Sequence, residues 1–131
     1  MGARGHIGIV QSASPTPIYF YTHWEGGHIV PLLAEGLHRA TEAGRLSDDS
    51  YATRIIFDTL TGCTGSTTSF GIIIGEPAGD NEYPIPTVFW ESVSSDPYIV
   101  YEDRRYSAQD FIAEFLLKEQ IQMPANSTGE I

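Results

Sequence analysis

The sequence carries few positive charges. Its 131 residues include 7 Lys and Arg against 17 Asp and Glu, which gives a formal net charge of −10, and Lys118 is the only lysine. Proteins that hold nucleic acid neutralise its phosphates with clustered Lys and Arg. The composition therefore argues against direct binding of nucleic acid.

The acidic residues are concentrated in the second half of the chain. Residues 1–75 contain 6 acidic and 4 basic side chains, whereas residues 76–131 contain 11 acidic and 3 basic ones. The second half makes most of the negative field, which would steer a basic partner towards it. Two interpretations stay open: a surface that only solubilises the protein, and an acidic mimic that competes with nucleic acid for a basic protein.

Cysteine and long apolar runs are also scarce. Cys63 is the only cysteine, which excludes an intrachain disulfide. The longest apolar stretches, such as Phe70–Ile74, are too short to span a bilayer. The N-terminal sequence MGARGHIGIV lacks the apolar region and cleavage site of a secretory signal. We expect a cytoplasmic protein without a membrane partner.

The remaining composition is that of a folding chain. Hydrophobic residues make up 41% and aromatic residues 11% of the sequence, which argues against disorder. The length favours one domain, which we assign to residues 1–122. Residues 123–131 are predicted to form a flexible C-terminal tail.

Five segments rich in β-branched and aromatic residues are predicted to be strands. They are His6–Gln11, Ile18–Thr22, Phe70–Ile74, Ile85–Ser92 and Tyr98–Glu102. The first two are separated by a six-residue turn with two prolines and are expected to pair antiparallel.

Apolar residues at helical spacing predict three helices. The first covers about residues 28–43, the second starts at a Ser47 or Asp48 cap and ends at Gly62, and the third starts at a Ser107 cap. The short linker between the first two predicts an antiparallel pair. The order ββααβββα indicates an α+β fold with a mainly antiparallel sheet of about five strands packed by the three helices.

The densest group of chemically capable side chains is His23-Trp24-Glu25-Gly26-Gly27-His28, at the junction between a strand and a helix. Two imidazoles and a carboxylate could hold zinc, but their spacing is not that of the H-E-x-x-H motif. A purely structural junction is the second interpretation, with Glu25 near the positive helix end and Trp24 packed on the sheet. A binding site without metal is the third, and we assign no metal and no cofactor.

Two other segments carry weaker signals. The stretch of Gly, Thr and Ser at residues 61–69 could cradle an anion, although it lacks the Gly-Lys-Ser/Thr of a Walker A loop. Cys63 within it would be a nucleophile only with a base nearby. Asp80 and Glu82 could serve acid–base chemistry or hold a divalent cation, or could belong to an exposed turn. The segment 102–105 is interpreted as a solvated turn with offsetting charges.

These segments together resemble a group of small uncharacterised proteins of actinobacteria and their phages. In that group a Gly-Ala-Arg start and an Ile/Val strand lead to an H-W-[DE]-G segment, here His23–Gly26, before a Leu-rich helix. A later D-x-E-Y segment is here Asp80–Tyr83, whereas Gly27 stands where such proteins often have an aromatic residue. The resemblance implies a phage-type accessory protein that acts on a host component, located in the host cytoplasm if a phage encodes it.

The function predicted from the sequence is therefore non-catalytic binding of a host protein or sequestration of a small ligand. The candidate binding residues are His23, Trp24, Glu25, His28, Asp80 and Glu82. An exposed Trp24 or Trp90 would favour this hypothesis. The alternatives are a small hydrolase or transferase using His23, Glu25 and His28, an acidic nucleic-acid mimic, and an assembly subunit of a phage particle, with homo-oligomerisation open.

Overall fold

The computed structural model describes residues 3–62, 68–79 and 81–122. Within these residues the chain forms six strands and three α-helices. The strands are β1 (Gly5–Val10), β2 (Ile18–Thr22), β3 (Phe70–Ile74), β4 (Thr87–Phe89), β5 (Tyr98–Tyr101) and β6 (Arg104–Ser107). The helices are α1 (Ile29–Glu42), preceded by a single 3-10 turn at Gly26–His28, α2 (Asp49–Thr61) and α3 (Ala108–Gln122). The predicted α+β class with three helices is confirmed, while Cys63, Asp80 and the predicted tail at 123–131 lie outside the described residues.

All six described strands belong to one sheet, in the order β3-β2-β1-β4-β5-β6. The predicted antiparallel pairing of β1 with β2 is confirmed, with Ile7 opposite Phe20. The sheet is mixed, however, because β1 and β4 run parallel, with Gly8 opposite Thr87. Between β1 and β4 the chain passes through β2, α1, α2 and β3. Such a long connection allows the two strands to run parallel.

The prediction of a solvated turn at residues 102–105 is wrong in its second half. Glu102 and Asp103 form the turn with φ of +50° and +67°, and Arg104 and Arg105 begin β6, which pairs with β5. A two-residue hairpin turn with both residues at positive φ usually contains Gly or Asn. Because Glu102 and Asp103 stand there instead, the sequence does not predict the hairpin. The predicted count of about five strands is therefore corrected to six.

The helix boundaries follow the predicted capping residues. The Asp48 side chain accepts a hydrogen bond from the Tyr51 N–H (3.4 Å), and Gly62 ends α2 with φ of +65°. The Ser107 hydroxyl accepts a hydrogen bond from the Asp110 N–H (3.1 Å) at the start of α3. Each such cap stabilises its helix by about 1 kcal/mol.

One face of the sheet packs against the helices and forms the core. Its largest fully buried apolar side chains are Ile7, Ile9, Val88 and Ile99 from the strands and Ile29, Leu33, Leu37, Ile56 and Phe111 from the helices. A Cβ added to Gly36 of α1 would lie 3.1 Å from the Ile56 Cα of α2. The two helices therefore approach closely at this glycine.

Candidate functional site

The junction between β2 and α1 is fixed by a buried hydroxyl. Thr22 is the last residue of β2, and its Oγ1 accepts hydrogen bonds from the backbone N–H groups of Trp24 (3.4 Å) and Glu25 (3.1 Å). Local bonds of this kind from Thr to backbone compete with regular structure and favour a turn. The backbone that carries Trp24 and Glu25 is therefore held in one conformation.

Gly26 occupies a position that has no room for a side chain. A Cβ there would lie 2.5 Å from the Ala3 carbonyl oxygen and 2.7 Å from Cδ2 of Tyr83. The Gly26 N–H donates to the same carbonyl oxygen at 2.7 Å. The H-W-E-G segment thus meets the later D-x-E-Y segment at Gly26 and Tyr83, although the two are far apart in the sequence.

Trp24 is exposed to solvent and yet held in place. Its side chain is 54% exposed, and its ring centroid lies 4.4 Å from that of His23 in an edge-on arrangement. The His23 ring is itself positioned by Tyr21, whose hydroxyl lies 3.1 Å from Nδ1. The other tryptophan, Trp90, is buried and donates its indole N–H to the Leu46 carbonyl oxygen at 2.9 Å.

Trp24 and Glu25 line a cleft of about 460 Å³. The cleft lies between the junction, the end of α2 and the start of β3. Its other lining residues are Leu32, Thr59, Leu60, Thr61, Gly62, Ser69 and Phe70. Pockets of about 300–1,000 Å³ with mainly apolar walls are typical of small-ligand sites.

The deep part of the cleft is apolar in character. Leu60 and Thr59 are buried there. The Thr59 hydroxyl donates to the Ile55 carbonyl oxygen at 2.8 Å and accepts from Nη1 of Arg39 at 2.6 Å. Because its hydrogen-bonding capacity is used inside the protein, this hydroxyl adds little polarity to the cleft.

One residue at the rim of the cleft has a strained backbone. Ser69 has φ of +82°, a region that side chains other than Gly and Asn seldom occupy. Its carbonyl oxygen accepts the His23 N–H at 2.8 Å. This bond ties the start of β3 to the residue that contacts Trp24.

Glu25 is the only ionisable side chain among the described residues that line the cleft. Its Oε1 lies 3.5 Å from Nδ1 of His28, and both side chains are largely exposed. An exposed pair of this kind contributes little to stability. The Glu25 carboxylate gives the cleft a negative charge.

The structure separates the predicted site residues into two places. His23, Trp24, Glu25 and His28 surround the junction, but the His23 ring contacts Tyr21 and Trp24 whereas His28 contacts Glu25. Glu82 pairs instead with Arg4, at 3.4 Å, and Asp80 lies outside the described residues. Over residues 3–62, 68–79 and 81–122, no three His, Cys, Asp or Glu side chains are grouped so that they could hold a metal ion.

Sequence reasoning missed three apolar walls of the cleft: Leu32, Leu60 and Phe70. The first two belong to the helical stripes that indicate the core, and Phe70 starts a predicted strand. The pairing of Thr22 with Phe70 across β2 and β3 brings Phe70 to the junction, and the fold of α1 and α2 brings Leu32 and Leu60 to the same cleft. The anion-cradle hypothesis falls mainly on residues 63–67, which the structure does not describe.

No protein-family model, no curated protein and no solved structure matches the chain. The site is therefore interpreted from its own geometry. Among the described helices, none has the length and apolar character needed to cross a membrane.

Proposed function

We propose that this chain is a non-catalytic binding protein whose cleft takes an apolar group with a positively charged end. The observation that carries the proposal is that Trp24 is 54% exposed at the rim of the cleft. Its neighbour His23, with which it is in edge-on contact, holds it there. An aromatic side chain that is fixed before binding loses little conformational freedom when a partner covers it.

The apolar part of the ligand follows from the walls of the cleft. Leu32 and Phe70, which are both partly exposed, give the cleft hydrocarbon surface, whereas Leu60 lines it while almost fully buried. Burial of apolar surface contributes about 25 cal/mol per Å². A chain of several methylene groups, or the stem of a long side chain, fits walls of this kind.

The charged part follows from Glu25 and from the indole ring. A carboxylate attracts an ammonium or guanidinium group, and the face of a tryptophan ring attracts the same cations. Residues 1–75, which contain both groups, carry a net charge of −2, and the whole chain carries −10. The field of the protein therefore favours approach of a cation over an anion.

Two sources supply this chemistry: a small organic amine, and a Lys or Arg side chain on the surface of another protein. The resemblance to actinobacterial and phage proteins supports the second, with the chain acting as an accessory protein that engages a host protein. In both cases the recognised unit is the same, a hydrocarbon stem that ends in a positive charge.

The experiment is a titration with hexylammonium, followed by the indole N–H signals of the two tryptophans in the NMR spectrum. We expect the Trp24 signal to shift saturably with a Kd on the order of 1 mM, as for a weak fragment-sized ligand. The buried Trp90 is the internal control and should not shift. The absence of any shift at Trp24 would reject the proposal.

A second titration separates the two sources. An extended peptide of alternating Lys and Leu presents the same cationic stems on a backbone. Binding about tenfold tighter than that of hexylammonium, or about 1.4 kcal/mol, assigns the site to a protein partner. Equal or weaker binding of the peptide assigns it to a small amine.

A further inference from the structure

The free edge of β3 is chemically unlike the other edge of the sheet. In the described part of the chain, β3 and β6 are the two outermost strands. β6 carries Arg104 and Arg105, both exposed, and charged residues on an edge strand oppose pairing with another chain. β3 reads Phe-Gly-Ile-Ile-Ile and has no charge. Of the two edges, only β6 is therefore protected.

The hydrogen bonds at both ends of β3 show which backbone groups face outward. The His23 N–H donates to the Ser69 carbonyl oxygen at 2.8 Å, and the Gly75 N–H donates to the Pro17 carbonyl oxygen at 2.9 Å. In an antiparallel pair the bonded positions alternate. The odd-numbered residues of β3 therefore bond to β2. The N–H and C=O groups of Phe70, Ile72 and Ile74 point away from it.

Two of these outward-facing residues also expose apolar side chains. Ile72 is 58% and Ile74 is 73% exposed. They lie on the sheet face that packs the helices, since Ile72 pairs with Phe20, whose ring is 4.9 Å from that of Phe57 in α2. An additional strand at this edge would thus extend both the hydrogen bonds of the sheet and its apolar face.

We propose that β3 pairs antiparallel with β3 of a second copy of this chain, about a two-fold axis at Ile72. In this register Ile72 faces Ile72 of the second copy, and Phe70 faces Ile74. All outward groups of the strand then find partners, in about six hydrogen bonds across the interface. The pairing is isologous, so it closes at a dimer with one continuous sheet.

The strand is compatible with a second copy as the occupant, because β3 contains no charged residue that would face its own counterpart. Two chains of net charge −10 repel each other, but the nearest acidic residue after the strand, Glu76, lies outside β3. The strand ends at Ile74 and Gly75 turns the chain with φ of +100°, so the two Glu76 residues lie beyond opposite ends of the interface. A pairing of β3 with β6 would instead bring Ile72 and Ile74 against Arg104 and Arg105. Phe70 belongs both to this interface and to the wall of the proposed ligand cleft, whereas Ile72 and Ile74 do not line the cleft.

The test is the mass of the chain in solution, combined with amide hydrogen exchange. By analytical ultracentrifugation we expect a concentration-dependent shift from the 14.4 kDa monomer to twice that mass. The amides of Ile72 and Ile74 should exchange about tenfold more slowly in the dimer, because their N–H groups become bonded. A chain that stays monomeric, or a dimer in which these amides exchange freely, would overturn the proposal.

Two variants locate the interface at the edge of β3. Ile72→Pro removes an outward N–H and leaves the bonds to β2 intact, and proline is tolerated at such edge positions. Ile72→Lys places a charge at the two-fold axis. Both should be monomeric. The matched control is Val93→Lys, which changes another exposed apolar residue (82% exposed) and should still dimerise.

The same variants keep the test valid if folding is affected. Circular dichroism and thermal melting of Ile72→Pro and Ile72→Lys report whether the monomer is folded. Ile72 does not line the ligand cleft, so a folded monomeric variant should still bind hexylammonium. If folded Ile72→Pro and Ile72→Lys dimerise as the wild type does, the proposed pairing is wrong.

Discussion

His6 and Asn81 are in direct contact although they are 75 residues apart: Nδ1 of the imidazole lies 2.8 Å from Oδ1 of the amide. The other ring nitrogen, Nε2, accepts the Ala78 N–H at 3.0 Å. Because Nε2 is the acceptor, the proton of the neutral ring is on Nδ1, which donates to Asn81. Through these two bonds β1 anchors the segment that brings Tyr83 to Gly26.

Replacing His6 should therefore destabilise the protein more than an ordinary surface change. His6→Ala removes a buried ring and leaves both Asn81 and the Ala78 N–H without this partner, which costs about 2–4 kcal/mol. The free energy of unfolding from urea denaturation measures the effect. His38→Ala is the control. His38 is half-exposed, and its Nε2 lies as far as 3.9 Å from Oε2 of Glu42, so its loss should change the free energy of unfolding by less than about 0.5 kcal/mol. Similar losses in both variants would contradict the anchoring role of His6.

Alanine substitutions at two adjacent glycines of the junction, Gly26 and Gly27, should differ in their effect on stability. Gly26→Ala should cost about 2 kcal/mol or more, because its Cβ would overlap the Ala3 carbonyl oxygen and the Tyr83 ring. For Gly27→Ala the nearest atom is the Tyr83 hydroxyl at 3.6 Å, so we expect almost no loss. The melting temperatures of the two variants measure this difference in stability. A Gly26→Ala protein as stable as Gly27→Ala would disprove the close approach of these segments.

Tyr101 connects the structure to the pH dependence of stability. Burial, and after it the negative charge of Glu102, raises the pKa of the Tyr101 phenol above its ordinary value of 10.0. The unfolded chain then ionises this phenol at lower pH than the folded chain, so the contribution of Tyr101 to stability is lost as the pH rises above about 10. Urea denaturation at pH 9 and above should show a weaker alkaline loss for Tyr101→Phe than for the wild type. An unchanged alkaline loss would contradict this assignment.

Much of the fold is predictable because its signals are local. The bounds of β2 and β3 agree with those expected from their β-branched residues. The ends of α2 at Asp48 and Gly62 follow from capping chemistry within a few residues. Such signals depend on the hydrogen bonds of one turn and are therefore visible in the sequence itself.

The remaining features depend on contacts between distant segments. β4 is shorter than predicted at both ends: it starts only at Thr87, after Pro86, which has no N–H to donate, and it ends at Phe89 and not at Ser92. Its parallel pairing with β1 is set by how the helices pack and not by a local pattern. The site shows the same division, because Trp24 and Glu25 stand out in the sequence whereas Phe70 reaches the cleft only through sheet register.

The contribution of Trp24 to ligand binding can be measured by mutation. Trp24→Ala should weaken hexylammonium binding about tenfold or more, because the exposed ring supplies both apolar surface and attraction for the cation. Tyr51→Ala is the matched control, since Tyr51 is equally exposed (52%) and does not line the cleft. Isothermal titration calorimetry measures both. Equal losses in the two variants would mean that binding does not depend on Trp24.

The most direct test of the account is the ratio of two dissociation constants, those of heptanoate and hexylammonium, measured on the wild type and on Glu25→Gln. The two ligands have the same hydrocarbon chain and opposite charges. We predict that the wild type binds hexylammonium about tenfold more tightly, a difference of about 1.4 kcal/mol, and that Glu25→Gln reduces this ratio to near one. Equal affinity of the wild type for the two ions, or a ratio unchanged in Glu25→Gln, would contradict the account.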